Sequence, residues 1–205
     1  IETKALYATE HNNFGTLFTF PDGGVSYRHF RDEKEFISSY PFVPYQYDLF
    51  QESIRSLSTH NAFTGRHSSV GERSMLGVFQ EVAKAIADKP LGSLGSFDMM
   101  FAGISTAIKS QNQSAIYTAE KQLNDAFVVK LLKALFLVKY VKSFKSTVRN
   151  LRVLMQSDLK EDITQLEKKI SKALELLELN TLIQRNGDVY EYLTSEEQDI
   201  EAEIK

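Results

Sequence analysis

Apolar residues recur at helical spacing through most of this chain. Tyr47, Phe50, Ile54 and Leu57 mark one helix after the breaker Tyr40-Pro-Phe-Val-Pro44. Met75, Phe79, Val82 and Ile86 mark a second, with Ser69 as its expected N-cap and Pro90 beyond its end. Phe97, Met100, Phe101, Ile104 and Ile108 predict a third, and a fourth runs from Gln113 to Leu123. Asn61 to Ser69 reads as a polar loop, and Pro90-Leu-Gly-Ser-Leu-Gly95 as a flexible connection.

From Ala126 the pattern changes. Val128, Leu131, Leu132, Leu135 and Val138 predict a strongly apolar helix. A short helix follows over Thr147 to Met155, then a long one over Asp162 to Asn180 on Ile163, Leu166, Ile170, Leu174 and Leu177. Next comes Leu182-Ile-Gln-Arg-Asn-Gly-Asp-Val-Tyr-Glu-Tyr-Leu193. Its Asn186-Gly187 pair supplies the positive φ angles that a tight hairpin turn needs. Helix, short helix, long helix, hairpin is the order of a winged helix-turn-helix. Thr194 with Glu197 three residues on is a capping box, and it opens one more helix.

Residues 1–35 look least helical. The β-branched and aromatic runs Gly15-Thr-Leu-Phe-Thr-Phe20 and Val25-Ser-Tyr-Arg-His-Phe30 flank Pro21-Asp-Gly-Gly24, which predicts a hairpin. The expected architecture is therefore mainly α with a small β component. It divides into a hairpin segment at 1–40, a helical subdomain at 41–125, a winged helix at 126–193 and the start of a further helix at 194–205. Because the chain opens on Ile1 and stops at Lys205 within a charged, helix-like run, we expect a piece of a larger protein.

Composition narrows the chemistry. With no cysteine, disulfides and thiolate metal sites are excluded, which suits a reducing, cytoplasmic setting. No apolar run approaches the roughly 18 residues a membrane span requires. His11, His29, His60 and His67 fall in no metal-ligand spacing, so no metal site is expected. There is no phosphate loop of the G-x-x-x-x-G-K-[ST] kind and no G-x-S-x-G elbow, so no catalytic residue is assigned.

Two sets of cations stand out. Arg73 sits in the first turn of a predicted helix, where the dipole disfavours a cation. It reads either as a solvated arginine paired with an acid such as Glu72 or as an arginine offered to an external phosphate; Arg66 is the second choice. Residues 126–157 hold seven bases and no acid. Of these, Lys139, Lys142, Lys145, Arg149 and Arg152, with Arg185 at the hairpin tip, are the expected contacts to nucleic-acid phosphate. The alternative is a solvated face around an apolar helix. The long helix mixes Glu167, Glu175 and Glu178 with Lys168, Lys169 and Lys172, which argues against base reading and for sequence-independent contact.

Three strings carry a family resemblance: Tyr40-Pro-Phe-Val-Pro-Tyr-Gln-Tyr-Asp-Leu-Phe-Gln51, Gly71-Glu-Arg-Ser-Met-Leu-Gly-Val-Phe-Gln80, and Thr181 to Leu193 with Glu196-Glu-Gln-Asp-Ile-Glu201. They resemble the large P-loop ATPase of bacterial BREX (bacteriophage exclusion) systems, the BrxC/PglY type. The resemblance implies an AAA+-like ATPase of phage defence that uses ATP and Mg2+, works with other defence proteins and on DNA, and self-associates through its ATPase. Its Walker motifs would lie upstream of Ile1. Residues 41–125 would be the lid after the ATPase core, and Arg73, or else Arg66, the arginine that senses the γ-phosphate. The expected function is then a non-catalytic regulatory fragment that couples nucleotide state to DNA or partner binding, with no cofactor of its own. The alternatives are a stand-alone winged helix regulator and a pure protein-docking module.

Overall fold

The computed structural model describes residues 1–24, 26–65 and 72–204, the side chains of 72–74 excepted. Among the described residues the chain is mainly helical, with one two-stranded antiparallel sheet.

The N-terminal segment departs from expectation. It forms α1 (Glu2–Glu10), a 3-10 turn at His11–Asn13 and α2 (Phe14–Phe18), and continues in extended form to α3 (Glu33–Ser39). No ladder joins 15–20 to 26–30. Aromatic content suggested strands, but Phe14, Leu17 and Phe18 recur at helical spacing and are all buried. Phe14 packs against Phe18, Phe30 and Phe36 with ring centroids 5.1–5.9 Å apart, so the short helix is held by an aromatic cluster rather than by a partner strand. The turn at Pro21–Gly24 is held from outside. The Asn150 side chain donates to the Asp22 carbonyl at 2.7 Å and accepts from the Asp22 amide at 3.2 Å, while the Thr147 hydroxyl donates to the Asp22 carboxylate at 2.7 Å.

Helix α4 (Pro44–Thr59) begins with proline in its first turn, where the missing N–H costs nothing. The Gln46 side chain closes this end by accepting from the Val43 amide at 2.8 Å and donating to the Gly95 carbonyl at 2.6 Å. Helix α5 (Glu72–Ala85) follows, its apolar stripe Val78, Phe79 and Val82 buried. The expected N-cap Ser69 lies outside the described residues. Residues 97–108 form 3-10 turns at Phe97–Gly103 and Ser105–Ala107 rather than an α-helix. Val78 explains the tight packing here: a β-carbon on Gly103 would come within 2.5 Å of it.

The connection at 90–95 is a fixed element rather than a flexible linker. The Gly92 amide donates to the Tyr40 hydroxyl at 2.9 Å, the Leu94 amide to the Ser157 carbonyl at 2.8 Å, and the Gly95 amide to the Pro41 carbonyl at 3.0 Å. Gly95 is required by close approach, since a β-carbon there would lie 2.6 Å from the Phe42 ring.

The remaining elements fall where the periodicity placed them: α6 (Ser114–Gln122), α7 (Ala126–Val138), α8 (Val148–Met155), α9 (Ile163–Leu179), β1 (Ile183–Asn186), β2 (Val189–Tyr192) and α10 (Ser195–Ile204). Asp125, Thr147 and Asp162 cap α7, α8 and α9 through their side chains. The hairpin turns on Gly187-Asp188, with Gly187 at φ +65°; Asn186, expected at positive φ in the turn, is instead the last residue of β1 and pairs with Val189. The Glu197 carboxylate accepts from the Thr194 amide at 2.7 Å, as the capping box requires. Helix α7 is the central element. Its residues Leu131 to Leu137, Lys133 apart, are almost wholly buried, against α9 on one side and the 3-10 segment 97–103 on another. Each large apolar side chain so buried contributes about 2 kcal/mol. Buried side chains from Leu6 to Tyr192 form one connected hydrophobic cluster. No helix among the described residues is long and apolar enough to cross a membrane.

Candidate nucleic-acid interface

Helices α7, α8 and α9 pack on one another, and α9 feeds directly into the hairpin. The segment between α7 and α8 runs beside that hairpin: the Tyr190 amide of β2 donates to the Ser146 carbonyl at 3.0 Å. Tyr190 is in turn the register partner of Arg185. Tyr190 thus joins the Ser146 segment on one side to Arg185 on the other.

The bases expected to share a phosphate-facing surface separate into two groups. Lys142, Lys145, Arg149 and Arg185 are exposed. Lys142 and Lys145 have no carboxylate partner among the described residues. Arg149 is 62% exposed and faces Asp22 at 3.6 Å, a surface pair of small energy that competition by phosphate can break. Arg185 is steered by its own hairpin: its Nε donates to the Gly187 carbonyl at 2.8 Å and its guanidinium lies 5.5 Å from the Tyr190 ring centre.

Lys139 and Arg152 turn inward and are corrections to the expected surface. The Lys139 side chain is fully buried. It meets Glu191 at 3.2 Å and Glu197 at 2.9 Å, and donates to the Tyr192 carbonyl at 2.6 Å. Burial alone would raise the Glu197 carboxyl, but hydrogen bonds from the Thr194 amide and from Lys139 outweigh it and hold the group below its ordinary range. Arg152 is 6% exposed in its side chain and donates to the Leu17 and Thr16 carbonyls of α2. These two bases tie elements together; the surface that remains consists of Lys142, Lys145, Arg149 and Arg185.

Arg152 also approaches α9. Its Nε lies 3.9 Å from Glu167 of α9, whose side chain stays 34% exposed. The N-terminal half of α9 exposes Gln165, Lys168, Lys169 and Lys172. Glu175 and Glu178 are exposed only further on. Lysines predominate on this half, beside the exposed N-cap Asp162 and the partly exposed Glu167. Lys169 rests 4.2 Å from the Phe127 ring centre.

Arg73 is the second residue of α5, in its first turn, and its side chain lies outside the described residues, as does all of Arg66. No group of three potential metal ligands occurs among the described residues.

A second feature escaped sequence reasoning. A cleft of about 400 Å³ lies between α4 and the segment after α7, lined by Arg55, Thr59, His60, Tyr140 and Lys142 among others. His60 stacks on Tyr140 with ring centroids 3.9 Å apart and planes 6° from parallel. At its floor, Glu52 accepts from Ser143 at 2.8 Å and from Tyr27 at 3.1 Å. Burial pushes the Tyr27 hydroxyl up to about 12, with the Ser143 hydrogen bond opposing and Glu52 adding to the rise, so Tyr27 stays a donor at neutral pH. The residues come from segments about 80 positions apart, and no local spacing joins them.

No protein-family model matches this chain, and no solved structure matches it.

Proposed function

We propose that residues 126–193 act as a winged helix that binds the DNA backbone without reading sequence, within a non-catalytic regulatory part of a phage-defence ATPase. The observation that carries the DNA half is the arrangement of α7, α8, α9 and the hairpin, with the Ser146 segment bonded to β2. In a helix-turn-helix the recognition helix presents its N-terminal residues to the groove, the place α9 takes in this order. Exposed Gln165, Lys168 and Lys172 on the N-terminal half of α9, and Lys145, Arg149 and Arg185 beside the wing, supply the phosphate attraction. Stable duplex binding that disappears when Lys145, Arg149 and Arg185 become Glu supports this reading.

The ATPase half rests on the resemblance of the strings at 40–51, 71–80 and 181–201. On that reading ATP and Mg2+ bind elsewhere in the longer protein, the helices of 41–125 serve as its lid, and Arg73 or Arg66 reports the γ-phosphate. Other defence proteins are the partners, and the setting is the bacterial cytoplasm. Arg73→Ala in the full-length ATPase is expected to lower turnover by about 100-fold, the cost of one lost contact to a reacting phosphate. Unchanged turnover removes this role.

A further inference from the structure

We infer that the cleft between α4 and the segment after α7 binds one unpaired nucleotide, its base stacked on His60 and its phosphate held by Arg55 and Lys142. Three observations converge there. First, the His60 and Tyr140 rings form a parallel stack at 3.9 Å, with Lys139 Nζ 5.3 Å from the Tyr140 ring centre on the buried side. His60 is exposed, which leaves its side chain accessible from solvent beyond the stack. Such an aromatic side chain is what a nucleobase covers in single-strand binding, whatever its identity.

Second, the ring is oriented before any ligand arrives. His60 Nδ1 lies 2.9 Å from the Ser56 carbonyl, which can only accept, so Nδ1 carries a proton. This fixes the ring plane against α4 and leaves Nε2 toward the outside of that bond. Third, the cleft's two cations outnumber its one acid and are not paired with it. Ser143 and Tyr27 both donate to Glu52 Oε2, which turns that oxygen toward them. Arg55 and Lys142 are exposed, line the cleft and have no carboxylate partner among the described residues. A cavity of about 400 Å³ accommodates one base with its phosphate.

This inference goes beyond duplex binding and is read separately from it. The probes are fluorescent oligothymidylate, an abasic strand of equal length and thymidine monophosphate, titrated against the intact chain at low salt. The base-bearing strand is expected to bind about tenfold more tightly than the abasic one. His60→Ala should bring that ratio close to one, and His60→Phe, which keeps a stacking ring, should restore it. Arg55→Glu should weaken both strands, with duplex binding through Lys145, Arg149 and Arg185 retained. If the monophosphate competes as well as the strand, the occupant is a free nucleotide held by the same chemistry. Equal affinity for base-bearing and abasic strands, a ratio that survives His60→Ala, or no binding of any of the three probes overturns the inference. Loss of duplex binding alone does not.

Discussion

Lys139 at the end of α7 and Glu197 in α10 form an ion pair at 2.9 Å, with the lysine side chain wholly removed from solvent. Glu191 of β2 and the Tyr192 carbonyl complete its surroundings, so one cation fastens the central helix to the hairpin and to the helix after it.

Removing that cation leaves two partly exposed carboxylates and the Tyr192 carbonyl without their shared partner. Breaking a buried pair from one side costs about 3 kcal/mol. Glu197 is 38% exposed and recovers part of that from water, so Lys139→Ala is expected to lose about 2 kcal/mol in a denaturant titration. Lys142→Ala, three positions on and exposed, should change stability by less than about 0.5 kcal/mol. Equal effects of the two would place Lys139 on the surface.

Gly103 faces Val78 so closely that a β-carbon would lie 2.5 Å from Cγ2 and 3.0 Å from Cγ1. Gly103→Ala is therefore expected to destabilise by about 2 kcal/mol through overpacking. Val78→Ala in the same chain should recover much of that loss, because it removes the obstructing methyls. A double mutant whose loss is the plain sum of the two single losses contradicts the contact.

Glu35 provides a pH-dependent contribution. Its burial works to raise its pKa, but hydrogen bonds from the Arg28 side chain and from the Arg31 amide and side chain prevail and bring it to about 2 from an ordinary 4.5. A depressed carboxyl means that the unfolded chain takes up its proton first. The stabilisation is complete above about pH 4.5 and disappears as the pH falls toward 2. Wild type should therefore exceed Glu35→Gln in denaturation midpoint at pH 6, with the gap closing between pH 4.5 and 2. A gap constant over that range would contradict the pairing.

Much of this architecture is legible in the sequence wherever burial has one dominant period. Helices α4 to α9, the hairpin and the Thr194–Glu197 capping box all follow from local spacing, although the turn falls on Gly187-Asp188, one residue after the expected Asn186-Gly187. Failures occur where long-range contacts override local preference. Phe14, Leu17 and Phe18 satisfy both a β-rich composition and a helical spacing, and only the position of Phe30 and Phe36 decides between them. Glycines in 90–95 suggest freedom, yet Tyr40, Pro41 and Ser157 hold that segment by its backbone. The three-residue step from Phe97 to Met100 also fits a 3-10 turn, which repeats every three residues. Of the candidate bases, the count of charges could not distinguish Lys139 and Arg152 from the rest. Their partners lie in β2, α10, α9 and α2, far away along the chain. The His60–Tyr140 stack is hidden from sequence for the same reason.

The central proposal is that the exposed bases around α8 and the hairpin bind DNA phosphate, and the salt dependence of duplex affinity tests it most directly. The logarithm of the association constant should fall linearly with the logarithm of salt concentration, each phosphate contact contributing about 0.9 to the slope. Changing Lys145, Arg149 and Arg185 together to Glu should flatten that slope by about 2.7 and weaken binding at every salt concentration, with little dependence on base sequence. An unchanged slope in the triple variant, or no duplex binding by wild type at low salt, would contradict the account.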